Sequence, residues 1–372
     1  MNVSIMISTI FIGDLYMKID RKKLVSELAR ALPGISVGTV KIEGADTFVF
    51  KGGHIYTYNS VISVDVKVDG IEELSGIVSA KEFYDCLTKL PSDEVEIEVT
   101  DKSWVLHDDK IKVTVNLLEV KNIFERFNSI TPNEDAWLKI DTEEFKHALN
   151  ICSIPRNSTK FSGLNFTGNE VWSTDQSEIN RYELKTEYPK FMISEAAVAE
   201  LSKLSNLTHM QYNKRWVQFL SEDGIVFSVR SISQEAFPID LISKLVTKVK
   251  DEPVFVEMAL TDKFFSAMSR ALSFSSEMEG VKTVSVSFGK EVKVVSSRKS
   301  GSYEEVVEDM SLDCDDFKLN LNADLFLSTD NRFETLKVLG EGELDEDTQV
   351  HLLFINGDFD TGSLKLCSNV TE

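Results

Sequence analysis

Residues 17–32 read MKIDRKKLVSELARAL, and the same arrangement returns twice, as LKIDTEEFKHALNIC at 138–152 and VEMALTDKFFSAMSRAL at 256–272. Each is a short alternating strand followed by a capping residue and an amphipathic helix. Asp20, Asp141 or Thr142, and Thr261 stand where the helices begin, and such short polar side chains suit an N-cap. The first buried helix positions, Leu24, Phe145 and Phe264, lie 121 and 119 residues apart. A spacing that recurs this closely predicts three homologous domains.

Half a period further on, the pattern appears again in each unit, as IVSAKEFYDCLTKL (77–90), MISEAAVAELSKL (192–204) and LNLNADLFLSTDNRF (319–333). Ser79, Ser194 and Asn322 are the expected caps, and Phe83, Val198 and Phe326 follow them by four residues. Ser79-Ala-Lys-Glu82 spells a full capping box. Between the helices the period drops from 3.6 to 2, as in EVEIEVTDKSWVLHDDKIKVTVNLL and VKTVSVSFGKEVKVVSS, which predicts half-buried antiparallel strands. Lys51-Gly-Gly-His54, Asp108-Asp109 and Gly289-Lys290 sit where hairpin turns belong.

The expected class is therefore α+β: three tandem domains over 17–130, 136–236 and 253–372, each with two helices packed on antiparallel sheet. Linkers are expected near 120–135, which ends in Thr131-Pro132-Asn133, and at 238–253, between Pro238 and Pro253. Residues 1–16 are apolar but lack a basic leader and a small-residue cleavage site, and they are too short to span a bilayer. They are expected to be a loose extension or an upstream start, Met17 being the cleaner beginning.

Forty basic residues against 61 acidic ones leave a net charge of −21. Such a chain does not coat nucleic acid or anionic membrane indiscriminately, although basic residues gathered on one surface still hold a polyanion. The cysteines, Cys86, Cys152, Cys314 and Cys367, form no Cys-x-x-Cys pair and fit a reducing compartment, so a cytoplasmic location is expected. The five histidines never approach metal-ligand spacing, and neither a Gly-x-Ser-x-Gly elbow nor a Walker loop is present. Gly340-Glu-Gly342 reads as a loop. Asp358-Phe-Asp360-Thr-Gly362 lacks the bidentate glutamate of a calcium loop and reads as a hairpin or exposed loop. Neither catalysis nor a cofactor is expected.

One charged pattern stands out. On the first helix Leu24, Val25, Leu28 and Leu32 make the apolar face, and Lys23, Ser26 and Arg30 point away from it. On the third-domain helix Phe264, Phe265, Met268 and Leu272 are apolar, and Lys263, Ser266 and Arg270 point away. Lys, Ser and Arg recur at the same three repeat positions inside an acidic chain. The middle helix breaks the pattern with Glu144 and Ile151, although Arg156 and Lys160 lie just beyond it.

Three such domains with basic inner helices on an acidic body resemble the bacterial DNA polymerase III β sliding clamp. Trp172-Ser-Thr174-Asp175, Phe237-Pro238-Ile-Asp240 and Glu279-Gly280-Val281-Lys282 carry the local likeness. Two departures suit a divergent, phage- or plasmid-encoded clamp: Gln176, Ser177 and Glu178 follow Thr174-Asp175, and the Leu364-Lys-Leu366-Cys367 tail has no proline.

The resemblance implies a head-to-tail homodimeric ring around duplex DNA, bound without regard to sequence, with a replicative polymerase and a clamp loader as partners and no membrane. It implies DNA contacts from Lys23, Arg30, Arg156, Lys160, Lys263 and Arg270. A partner-peptide cleft would involve Phe161, Thr174, Ile179, Leu245, Met278 and Leu366. The subunit interface would involve Ile111, Val113, Leu272 and Phe274. The alternatives are a clamp-like scaffold that binds replication partners without encircling DNA, and a repeat-built hydrolase using acidic loops.

Overall fold

The structure is a computed structural model, and it describes residues 15–36, 42–153, 163–175, 178–278, 281–308, 310–327, 329, 332–340, 349–356 and 361–368. The chain opens with β1 (Leu15–Asp20), α1 (Arg21–Ala31), β2 (Thr47–Lys51), β3 (His54–Tyr58), β4 (Ile62–Lys67) and β5 (Gly76–Ser79). Then come α2 (Ala80–Lys89), β6 (Glu94–Val99), β7 (Ser103–Asp108), β8 (Ile111–Asn116), α3 (Ile123–Asn128) and β9 (Leu138–Lys139). The middle stretch holds α4 (Thr142–Cys152), β10 (Leu164–Phe166), β11 (Glu170–Thr174), β12 (Glu178–Glu183), β13 (Phe191–Ile193) and α5 (Glu195–Leu201). It continues with β14 (Leu207–Tyr212), β15 (Trp216–Ser221), β16 (Val226–Ile232) and α6 (Ile239–Lys250). The last stretch holds β17 (Val254–Ala259), α7 (Asp262–Leu272), β18 (Ser276–Met278), β19 (Val281–Phe288), β20 (Lys293–Arg298) and β21 (Gly301–Val306). It ends with β22 (Phe317–Asn322), α8 (Ala323–Leu327), β23 (Thr335–Leu339), β24 (Gln349–Ile355) and β25 (Thr361–Ser368).

These elements gather into two compact units, Met1–Ile140 with Leu204–Ser231 and Asp141–Lys203 with Ile232–Glu372. The first unit has a four-stranded antiparallel sheet, β1-β6-β7-β8, and a longer run β5-β2-β3-β4-β16-β15-β14-β9. The second has the run β17-β23-β24-β25-β12-β11-β10-β13 and a smaller sheet of β18 to β22. In each long run, strands from neighbouring repeats pair directly. Val64 faces Phe227 across β4–β16, and Ile179 faces Leu364 across β12–β25. Backbone hydrogen bonds thus tie consecutive repeats together.

An aromatic group anchors each repeat. In the first, Phe50, Phe83 and Trp104 meet edge to face with centroids 4.9–5.7 Å apart. In the middle one, Phe145 lies 5.8 Å from Phe166, which stacks 4.4 Å from Phe191. In the third, Phe326 lies 5.3 Å from Phe264 and 5.2 Å from Phe354. All but Phe354 belong to the largest fully buried side chains, each worth about 1.5–3 kcal/mol in area removed from water.

The caps form as expected at Asp20, Asp141, Ser194 and Thr261, whose side chains each accept a backbone N–H of the first helical turn. Ser79 differs: it occupies the N-cap of α2, but its side chain makes no capping hydrogen bond. The helix instead extends directly from β5, whose backbone is held by β2 through Ser79 opposite Thr47. At the first hairpin, Lys51 pairs with His54 around Gly52 and Gly53, whose φ values of 59° and 80° are left-handed and favour glycine.

Both expected linkers contain helix. Residues 120–135 include α3, which buries Ile123 and Phe127. Residues 238–253 are almost wholly α6, which buries Ile242, Val246 and Val249. Pro238 stands at the N-cap of α6, where a missing N–H costs nothing. Asp358 and Asp360 lie outside the described residues; Thr361 opens β25, which runs antiparallel to β24.

Candidate nucleic-acid interface and partner cleft

On α1 the buried stripe is Leu24, Leu28 and Ala31, which leaves Lys22, Lys23 and Ser26 exposed. Lys22 pairs with Asp93 at 2.8 Å. Arg30 is half-buried and is held by Glu27 at 2.8 Å and by Asp223. On α7 the stripe is Phe264, Phe265, Ala267, Met268 and Ala271, and Lys263, Ser266 and Arg270 are exposed. Arg270 makes a two-pronged contact with Glu305, 2.7 Å to Oε1 and 2.9 Å to Oε2 from Nη2, and its Nε donates to the Tyr303 hydroxyl at 3.0 Å. Lys263 reaches Glu308 at 3.3 Å. The recurrent positions are thus equivalent in structure as in sequence, and in both helices the arginine is already matched to carboxylates.

On α4 the corresponding positions turn inward. Glu144 and Ile151 are buried, and Glu144 Oε1 accepts the Lys185 N–H at 2.6 Å. Beside its exposed His147 and Asn150, a cavity of about 550 Å³ is lined also by Tyr182, Arg332 and Asn356. Arg156 and Lys160 lie outside the described residues.

The cleft candidates fall in the second unit. Thr174 closes β11, buried, with its Oγ1 donating to the Glu178 carbonyl at 2.8 Å. Asp175 Oδ1 accepts the Glu178 N–H at 2.9 Å, which fixes the connection to β12. Ile179 follows, and packs in a cluster with Trp172, Phe237, Ile242, Val246 and Leu364. Leu245, half-buried on α6, packs against that cluster. Thr174 is registered opposite Ile179, and Leu245 packs against the cluster that holds Ile179. Phe161 lies outside the described residues. Met278 is on β18 in the smaller sheet, and Leu366 is on β25, its backbone opposite His351.

Two further residues lie beside these. Leu364 is the β25 residue registered opposite Ile179 and is buried with it. Leu241 is 69% exposed, four residues before Leu245 and so on the same flank of α6. The Leu241-x-x-x-Leu245 spacing was the available signal, once 238–253 is recognised as helix.

The interface candidates lie on β8 and at the end of α7. Ile111, 40% exposed, and half-buried Val113 lie on β8, the outer strand of the four-stranded sheet. Leu272 and Phe274 are half-buried at the end of α7, and the Phe274 ring stacks 6.3 Å from Tyr303 of β21. Among the described residues, β21 pairs only with β20. β8 presents Lys112 beside Lys110, whereas β21 presents Glu304 and Glu305.

Among the described residues, no group of three His, Cys, Asp or Glu is placed to hold a metal ion, and no helix is long and apolar enough to cross a membrane. Cys152 is buried, its thiol donates to the Val171 carbonyl at 3.4 Å, and burial pushes its pKa well above the ordinary thiol range.

No family model and no curated protein matches this sequence. Solved structures match almost the whole chain. The DNA polymerase III beta chain of Streptococcus pneumoniae aligns at a TM-score of 0.76 and 16% identity, over 96% of this chain and 100% of its own. The sliding clamp of Bartonella birtlesii, solved with griselimycin bound, aligns at 0.75 and 15%, over 97% and 100%. The clamp of Bacillus subtilis aligns at 0.73 and 17%, over 95% and 99%. The chain has the fold of these DNA polymerase III beta sliding clamps, at identities that mark it as divergent from them.

Proposed function

We propose that this protein is a DNA sliding clamp: a processivity factor that encircles duplex DNA and tethers a replicative polymerase. The observation that carries the reading is the recurrence of Lys, Ser and Arg at equivalent positions on the outward side of α1 and α7, in a chain of net charge −21 with a clamp fold. An acidic body keeps stray polyanions away, while a few basic side chains make contacts to phosphate that carry no base information. Catalysis is not needed for this role, since a closed ring holds by topology. The three domains of the ring half are residues 17–130, 136–236 and 253–372, and the protein acts in the cytoplasm with a clamp loader.

The ring closes when β8 of one copy meets β21 of another. Both strands span six residues, and among the described residues each is paired on one side only. Such a heterologous contact closes when the rotation between copies permits. Thr174, Ile179, Leu241, Leu245 and Leu364 form the peptide cleft, where an apolar side chain from the polymerase would cover Leu241. A short peptide there would bind at roughly micromolar strength, about −8 kcal/mol.

Changing Lys23, Arg30, Lys263 and Arg270 together to Glu tests the reading. Loader-dependent stimulation of the polymerase should disappear while the dimer and its melting temperature persist. Undiminished stimulation would exclude these helices as the DNA-facing surface. Persisting partner binding without any DNA dependence, in the unaltered protein, would favour a scaffold instead.

A further inference from the structure

We propose that the strip Arg126–Tyr58–Trp216–Arg230 in the first unit is a docking site for an extended acidic peptide segment of a partner protein. The Arg126 guanidinium lies 5.0 Å from the Tyr58 ring, Tyr58 lies 6.2 Å from Trp216, and the Arg230 guanidinium lies 5.6 Å from the Trp216 ring. Lys214 and Arg215 precede Trp216 in an exposed turn, and the Arg215 carbonyl accepts the Ser231 N–H at 2.9 Å beside Arg230. That turn is fixed: Asn213 Oδ1 accepts the Trp216 N–H at 2.9 Å, and Lys214 holds a φ of 67°.

Four arginines elsewhere, Arg21, Arg30, Arg181 and Arg270, are matched to carboxylates, whereas Arg298 lies singly over the Phe274 ring. Among the described residues, Arg126, Lys214, Arg215 and Arg230 pair with no carboxylate; the Arg126 side chain donates only to the Glu43 backbone carbonyl. With 61 acidic residues against 40 basic, a cluster of unmatched cations is the reverse of what the composition favours. A guanidinium laid on an aromatic ring keeps its N–H edge free and oriented, which suits the two oxygens of a carboxylate.

The rings decide between carboxylates and nucleic acid. Single strands are held by stacking bases on open aromatic faces. Here Trp216 is only 4% exposed and the Arg126 guanidinium lies over the half-buried Tyr58 ring, so the strip offers no run of open aromatic faces for successive bases. The absence of stacking disfavours a single strand, and displacement of the peptide by a short duplex would overturn the proposal by assigning the strip to phosphate.

The test uses the full-length protein and a fluorescein-labelled peptide of alternating Glu and Ser, followed by anisotropy in roughly 50 mM salt, where screening is modest. Saturable binding is expected, weakened about tenfold or more in Arg126→Ala/Arg230→Ala, as befits two charge-assisted contacts. Lys18→Ala, remote from the strip in sequence and paired with Glu94, should bind like the unaltered protein. Arg126→Lys/Arg230→Lys keeps the charge and loses the planar fork, so it should bind several-fold more weakly than the unaltered protein even if the alanine variant fails to fold. Absence of binding, or equal affinity in the lysine and alanine variants and the unaltered protein, would overturn the proposal. So would tighter binding of a ten-residue oligothymidylate that the same substitutions abolish.

Discussion

Arg270 and Glu305 state the condition under which a basic helix works on an acidic protein. The ion pair is largely exposed and therefore weak in water, so under the proposed role a phosphate would displace the carboxylate. Glu305→Gln should raise affinity for duplex DNA by freeing the guanidinium, and Arg270→Ala should lower it. The loss should also flatten the dependence of log affinity on log salt by about 0.9 for each phosphate contact removed. Equal salt slopes for Arg270→Ala and the unaltered protein would exclude contact with phosphate. The cation was legible from helical spacing alone, but its partner was not: Glu305 is 35 residues away, and Asp223 is 193 residues from Arg30. Such pairings depend on how strands are brought together, which no local pattern encodes.

His54 gives a second test at this scale. Its hydrogen bond to Asp65, 2.6 Å, holds the imidazole pKa above the ordinary histidine value, against the opposing effects of partial burial and Lys67. Because the folded protein binds this proton more tightly than the unfolded chain, His54 adds stability that is complete below the ordinary value of about 6.5 and fades as pH rises through its raised value. The melting temperature should therefore fall more between about pH 6 and about pH 8 in the unaltered protein than in His54→Gln. Parallel curves would show that the pair contributes nothing.

Among the elements, α6 shows why part of the molecule was readable and part was not. Pro238 and Pro253 bracket the segment and look like the ends of a linker, yet Ile242, Val246 and Val249 follow the 3.6 period and bury one stripe against β12 and β25 residues. The same reasoning succeeded at α1, α4 and α7 because a strand and a good N-cap precede each of them. The capping box at Ser79 failed because strand pairing, not the side chain, sets the start of α2. Which residue of β25 lies opposite Ile179 depends on strand register, which no local pattern encodes; that residue is Leu364. Truncating the buried stripe and the exposed flank of α6 should have opposite signatures. Ile242→Ala should cost about 2–5 kcal/mol of stability. Leu241→Ser should leave the melting temperature nearly unchanged yet weaken binding of a Gln-x-x-Leu-Phe type peptide. Unchanged peptide affinity would move the cleft away from α6.

At the scale of the whole molecule, the sequence period marks three repeats, whereas the sheets join neighbouring repeats through β4–β16 and β12–β25. Among the described residues β8 pairs only with β7 and β21 only with β20, and sheet edges of this kind are either covered or hazardous. Asp introduced at Leu272 and Phe274 should yield monomers by light scattering, and an unchanged dimer would remove these residues from the interface. The most direct measurement is retention of the loaded protein on nicked circular DNA during gel filtration, before and after the circle is cut once. A closed ring predicts that the protein stays with the circle and slides off the linear product. Equal retention on both forms, or loss from both, would contradict encirclement.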